Sequence, residues 1–288
     1  MNMVKEKFPE AKLIENKENV GFSKANNQAM RVSNGKYVLL LNPDTVVEED
    51  TFEKVVRFMN EHPDAGGLGV NMIDGKGNFL PESKRGLPTP EVAFYKIFGL
   101  SRLFPKSKRF GKYHLGYLDK EETHEIEILS GAFMLMRKEA LDKVGLLDES
   151  FFMYGEDIDL SWRIILGGYK NYYYPGTRII HYKGESTKKS SVNYVFVFYN
   201  AMIIFAKKHF SAKNARVYSF LINLAIYFRA GLALMSRFAK RAIVPAIDIA
   251  LIILGLFLIA KGYQEIEDIV IPKELLLWGL PIYGCIWY

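Results

Sequence analysis

Tyr37-Val38-Leu39-Leu40-Leu41 is a run of five apolar residues that stops against Asn42-Pro43-Asp44. A run this short and this uniformly apolar fits a strand buried on both faces. Pro43 has no N–H to give to a ladder, so a central strand cannot continue through it. The chain must leave the sheet here and present the Asp44 carboxylate at the strand's C-terminal edge. Asn-Pro-Asp is also ordinary turn material. The rest of the sequence has to decide whether that carboxylate has a further purpose.

Short apolar runs alternate with helical patterns on both sides of this strand. KLIEN (12–16) reads as a strand, and Ser23 to Val32 as a helix with Ser23 as N-cap. Glu48 to Asn60 reads as a helix with Phe52, Val55, Val56 and Met59 on one face, and GGLGV (66–70) as a strand. Residues 75–125 lose the rhythm; their four prolines and the basic run KSKRFGK (106–112) predict a mobile loop with one short helix. EILSGAFMLMRKEAL then supplies a strand and a helix, and the aromatic segment at Phe151 leads into a helix closed by Gly167-Gly168. KNYYYP and TRIIHY give two more strands. Such alternation predicts an α/β domain, a mainly parallel sheet with flanking helices.

The character changes after about residue 210, which divides the chain into a domain over 1–210 and a helical region over 211–288. Three apolar segments, 217–235, 243–260 and 275–288, approach the ~20 residues that span a bilayer and read as membrane helices. Lys207, Lys208, Lys213 and Arg216 precede the first, and Arg237, Lys240 and Arg241 follow it. The joint after the second carries Glu265, Glu267, Asp268 and Glu274. Positive flanks stay inside, so the expected place is the cytoplasmic membrane with the domain on its cytoplasmic side.

The net charge of +6 suits an anionic partner. Nucleic acid is disfavoured, because much of the positive charge brackets apolar segments instead of gathering with aromatics on one face. A single cysteine, Cys285, excludes an intramolecular disulfide and a cysteine-based zinc site. The sequence opens inside a helical pattern and closes inside an apolar run, which gives the expectation of a piece of a longer chain.

Four short motifs carry chemistry. NVGFSKANNQA (19–29) runs a glycine loop into a helix N-terminus, which offers free N–H groups to a phosphate. Asn42-Pro43-Asp44 lies at a carboxyl edge, where open α/β sheets bind ligands, and a hard carboxylate there suits Mg²⁺ or Mn²⁺ shared with phosphates. Glu156-Asp157-x-Asp159 opens a helix. Such residues complement the helix dipole, but an aromatic surround of Phe151, Phe152, Tyr154 and Trp162 also favours a carboxylate acting as base. His181 closes a strand and is a candidate ligand.

Together these residues resemble the family 2 glycosyltransferases of GT-A fold, and within them the bacterial rhamnosyltransferase-like branch. The likeness rests on Asn19 to Asn27, Asn42 to Asp44, Ser130 to Ala132, Phe151 to Arg163 and 181 to 186, in that order, over about residues 10–210. It implies a nucleotide-sugar donor, a saccharide or lipid-linked acceptor, and inverting transfer. It further implies Gly21, Asn27, Asn42 and Asp44 at the donor, Asp44 and His181 on Mg²⁺ or Mn²⁺, and Asp157 as general base with Glu156 beside it. Nothing before residue 12 matches the family's first two strands, so the nucleotide cradle is expected to be N-terminally truncated. The alternative is an inactive membrane-bound homologue serving as a scaffold.

Overall fold

The computed structural model describes residues 2–182 and 192–267. In chain order its elements are α1 (Asn2–Lys7), α2 (Phe22–Val32), β1 (Tyr37–Leu41), β2 (Thr45–Val47), α3 (Thr51–Glu61), β3 (Ala65–Ile73), α4 (Pro90–Ile97) and α5 (Leu100–Leu103). There follow β4 (His124–Ile126), β5 (Phe133–Arg137), α6 (Lys138–Val144), α7 (Glu156–Leu166), β6 (Lys170–His181), α8 (Val192–His209) and α9 (Ala212–Glu267). Contacts divide the chain into two units, Met1–Ile222 and Asn223–Tyr288.

The strands form one sheet in the order β1-β5-β3-β6-β2, with β4 added along β6. Among the described residues β3–β6 is the parallel ladder, while β1–β5, β3–β5, β2–β6 and β4–β6 are antiparallel. The sheet is therefore mixed, which corrects the expectation of a mainly parallel one. Strand-helix alternation does not fix direction. The long segment between β3 and β5 gives β5 room to return antiparallel between β1 and β3.

Two other strand expectations change. Residues 12–16 form no strand; they are largely exposed and lie in no ladder, and an apolar run without a partner strand has nothing to hold it extended. KNYYYP and TRIIHY are one strand, β6. Its register against β3 passes from Val70–Tyr174 to Asn71–Arg178, so Pro175 to Thr177 bulge out where proline cannot serve the ladder.

The core lies on both faces of the sheet. Met134 and Met136 of β5 pack with Val38 and Leu40 of β1, Met30 of α2, Leu141 of α6 and Leu160 and Ile164 of α7. Phe133 and Leu135 pack on the other side with Val55, Phe58 and Met59 of α3. The alternation along β5 is the period-two rule, and burial of every β5 residue marks it as an interior strand. Segment 75–125, expected as a loop, folds against this core instead. Thr89 caps α4 by accepting the Val92 N–H at 3.4 Å, Pro90 follows at the first helical position, and Ser83, Lys84, Leu87, Tyr113 and Leu115 are buried.

The candidates at 217–235 and 243–260 are parts of one continuous helix, α9, and 275–288 lies outside the described residues. Among the described residues no helix is long and apolar enough to cross a membrane. The basic joint at Arg237, Lys240 and Arg241 does not break α9, since lysine and arginine are good helix formers. Tyr227, Met235, Phe238, Val244, Leu251 and Ile259 stand exposed along it.

Candidate active site

The sheet register builds the first half of the site. Asn42 N–H donates to Ala132 O at 3.0 Å, tying the turn after β1 to the start of β5. Thr45 Oγ1 donates to Asn42 O at 2.6 Å and closes the turn. Thr45 then faces His181 in the β2–β6 ladder, and the Tyr182 N–H donates to Asp44 O at 2.9 Å. The outcome is Asp44 Oδ1 lying 3.3 Å from His181 Nε2, with the side chains 14% and 10% exposed. Both residues expected on a metal are thus side by side. A carboxylate oxygen and an imidazole nitrogen so placed fit two positions on one divalent ion, the rest falling to water and phosphate oxygens. Among the described residues no cluster of three or more His, Cys, Asp or Glu forms.

A strained corner builds the second half. Tyr154 at φ 69° and Gly155 at φ 88° are successive left-handed residues leading into α7. A side chain at 155 would meet the Phe151 ring at 2.9 Å and Ala201 Cβ at 3.2 Å, so glycine is required there. Tyr154 carries about 1 kcal/mol of strain for the same turn.

This corner gives the three carboxylates different surroundings. Asp157 Oδ1 accepts its neighbour's Ile158 N–H at 2.8 Å; Oδ2 accepts the Gly131 N–H at 3.3 Å and pairs with Arg85 Nη2. Asp159 is fully buried between Arg163 Nη2 at 2.8 Å, Lys208 Nζ at 2.9 Å and His209 Nε2 at 2.6 Å. Burial pushes its carboxyl up, but His209, Arg163 and Lys208 outweigh that and hold it below the usual range. Glu156 is buried with no partner for Oε2 among the described residues. Burial first, and then the adjacent Asp157 charge, push it up to about 8.

The glycine loop docks onto this corner. Gly21 sits at φ 83°, and an added Cβ would meet Phe152 O at 2.8 Å. The Phe22 N–H donates to Phe152 O at 2.9 Å. Ser23, expected as N-cap, instead donates its hydroxyl to Phe151 O at 2.8 Å, and Gly21 takes the cap position. A Cβ on Gly131 would lie 3.7 Å from Asp157 Cβ and 3.9 Å from Phe22 Cζ. The start of α2, the Ser130–Ala132 turn and Asp157 therefore converge, and Asn42 joins them through Ala132.

Asn27 does not join them. Its Nδ2 donates to Leu147 O at 2.8 Å and Glu149 Oε1 at 3.0 Å, while its Oδ1 accepts the Leu147 N–H at 3.0 Å. The amide is spent holding residues 147–149. Arg85 was not among the expected residues, because one arginine in a stretch read as loop carries no signal.

The model of the family described as Glycosyl transferase family 2 matches residues 2–145. The chain belongs to this family. The glycosyltransferase is 25% identical over 216 residues to N-acetylglucosaminyl-diphospho-decaprenol L-rhamnosyltransferase of Mycobacterium tuberculosis, covering 71% of this chain and 69% of the relative. Rhamnosyltransferase WbbL of Escherichia coli is 27% identical over 175 residues, 56% of this chain and 61% of its own. Among solved structures, GalNAc-T7 with UDP, GalNAc and Mn²⁺ superposes at a TM-score of 0.48 and 19% identity, over 72% of this chain and 39% of that one. The rhamnosyltransferase-like resemblance read from the motifs is borne out by the two named relatives.

Proposed function

We propose that this glycosyltransferase moves a sugar from a nucleotide-diphospho-sugar to the hydroxyl of a saccharide or lipid-linked saccharide, inverting the anomeric centre. The observation that carries the reading is one edge of the molecule. There the Asp44–His181 pair and the partly buried Asp157 are joined through the contact of Asn42 with Ala132. Asp44 and His181 hold Mg²⁺ or Mn²⁺ in this reading, with Gly21 and Asn42 shaping the donor side by their backbone. The bound ion would neutralise charge gathering on the leaving diphosphate.

Asp157 takes the proton of the acceptor hydroxyl, whose oxygen attacks the anomeric carbon from the face opposite the diphosphate. The new C–O bond forms as the bond to phosphate breaks, and its electron pair leaves with the nucleoside diphosphate. One such displacement inverts the carbon. Glu156, protonated near neutrality by its burial, is the poorer base of the two. The likeness to an L-rhamnosyltransferase and to a second rhamnosyltransferase makes a rhamnosyl donor the first to try.

The exposed apolar side chains of α9 support contact with a lipid surface on the cytoplasmic side. The exposed Arg241 adds about 1 kcal/mol toward anionic lipid. Sedimentation with phosphatidylglycerol vesicles tests this, and protein left wholly in the supernatant counts against it.

The chemistry is tested by nucleoside diphosphate release from UDP-, GDP- and dTDP-linked sugars, with and without Mg²⁺ or Mn²⁺. The reading expects metal-dependent release that Asp44→Ala largely removes and His181→Ala weakens. Equal release with and without metal, or an unaffected Asp44→Ala enzyme, overturns the metal assignment.

A further inference from the structure

Arg85 lies between β3 and α4, with only 13% of its side chain exposed. A guanidinium is expensive to bury unless its charge and its donors are met. Here Nη2 meets Asp157 Oδ2 and Leu129 O, while Nε finds no partner among the described residues. The Leu129 carbonyl immediately precedes the Ser130–Ala132 turn, whose Gly131 N–H also donates to Asp157 Oδ2 at 3.3 Å. One side chain thus fastens both the catalytic carboxylate and the turn beside it.

The distribution of donors over Asp157 is uneven. Each carboxylate oxygen has roughly two acceptor sites. Oδ2 receives Arg85 and Gly131, which fills it; Oδ1 receives the Ile158 N–H at 2.8 Å and keeps one site open. Glu156, the adjacent carboxyl, feels the Arg85 charge, but its Oε2 has no hydrogen-bond partner among the described residues.

We propose that Arg85 is a positioning residue for glycosyl transfer, holding Oδ2 of Asp157 so that Oδ1 is the oxygen that receives the acceptor's proton. The inference rests on the reading of Asp157 as the base. Arg85 touches neither sugar nor metal in this account; it acts through the carboxylate. Fixing a reacting group in one geometry is the kind of effect that moves turnover and leaves donor affinity alone.

Donor hydrolysis, with water in the acceptor's place, gives a direct probe on the full chain with the sugar nucleotide that the wild type turns over. Arg85→Ala should lower kcat per folded molecule by a factor on the order of 10² with donor Kd unchanged, and millimolar guanidinium chloride should restore part of it. Arg85→Lys keeps the charge without the fork, so it should lose on the order of tenfold in kcat at unchanged KM. This variant decides the matter if Arg85→Ala does not fold. A merely structural arginine predicts something else: activity lost in proportion to folded protein, with no response to guanidinium. That result, or wild-type kcat in either variant beside an inactive Asp157→Asn, overturns the proposal. If Asp157→Asn itself turns over normally, the base assignment fails first and takes this inference with it.

Discussion

Asp157 and Asp159 leave the same turn of α7 two residues apart and serve opposite ends. Asp159 is wholly buried, and Arg163, Lys208 and His209 close around it, fastening the end of α8 to α7. Asp157 is 16% exposed, with Arg85 as its ion-pair partner and one oxygen left with capacity to accept. A side chain whose every acceptor site is filled can stabilise the fold, but it has nothing to offer a substrate. In the proposed reading the acidic motif combines a structural carboxylate, Asp159, with a chemical one, Asp157, and only their surroundings separate the roles.

The comparison can be broken most sharply at Asp159. Asp159→Ala leaves His209 and Arg163 without their buried carboxylate, while Lys208 keeps Asp148, and should cost about 4 kcal/mol in urea unfolding, as for other broken buried ion pairs. Hydrolysis per folded molecule should stay within severalfold of wild type. A variant that is stable but inactive would exchange the two roles.

Glu156 sharpens the contrast from the other side. Its carboxyl stands at about 8 in the folded chain against an ordinary 4.5, so between those values the folded state holds a proton that the unfolded state releases. Its contribution is therefore most favourable below pH 4.5 and is lost as pH rises through about 8. Glu156→Gln should remove that slope between the acid and alkaline unfolding curves. Parallel curves for wild type and variant would show that Glu156 ionises normally.

Asn27 provides the smallest test. Asn27→Ala should cost about 2 kcal/mol of stability, since it leaves the Leu147 N–H and C=O unpaired, while donor affinity measured by calorimetry stays the same. Weakened donor binding at full stability would return Asn27 to the site.

What could be read in the sequence follows from what is local. The strand at Tyr37–Leu41, its stop at Pro43 and the glycine-closed helix α7 depend on residues close in the chain and stand where the pattern put them, although β1 is an edge strand with Leu41 exposed and not one buried on both faces. The meeting of Asp44 with His181 was legible because both end strands at one edge. The sheet's direction was not, because antiparallel return of β5 depends on pairing across more than fifty intervening residues. Arg85 was hidden for a related reason. Prolines and glycines around it mimic a loop, while its role comes from Asp157, 72 residues away in sequence. Asn27 is the opposite case, since a motif position names a residue type without saying which neighbours consume its amide.

The most direct measurement is the turnover of Asp157→Asn set beside Asp159→Asn, both in the full chain with the same sugar nucleotide and Mn²⁺. The account predicts that Asp157→Asn loses a factor on the order of 10² or more in kcat while binding the donor as the wild type does. Asp159→Asn should keep most of its kcat and unfold more easily. Near-wild-type turnover in Asp157→Asn, or an equal loss in both variants of equal stability, would contradict it.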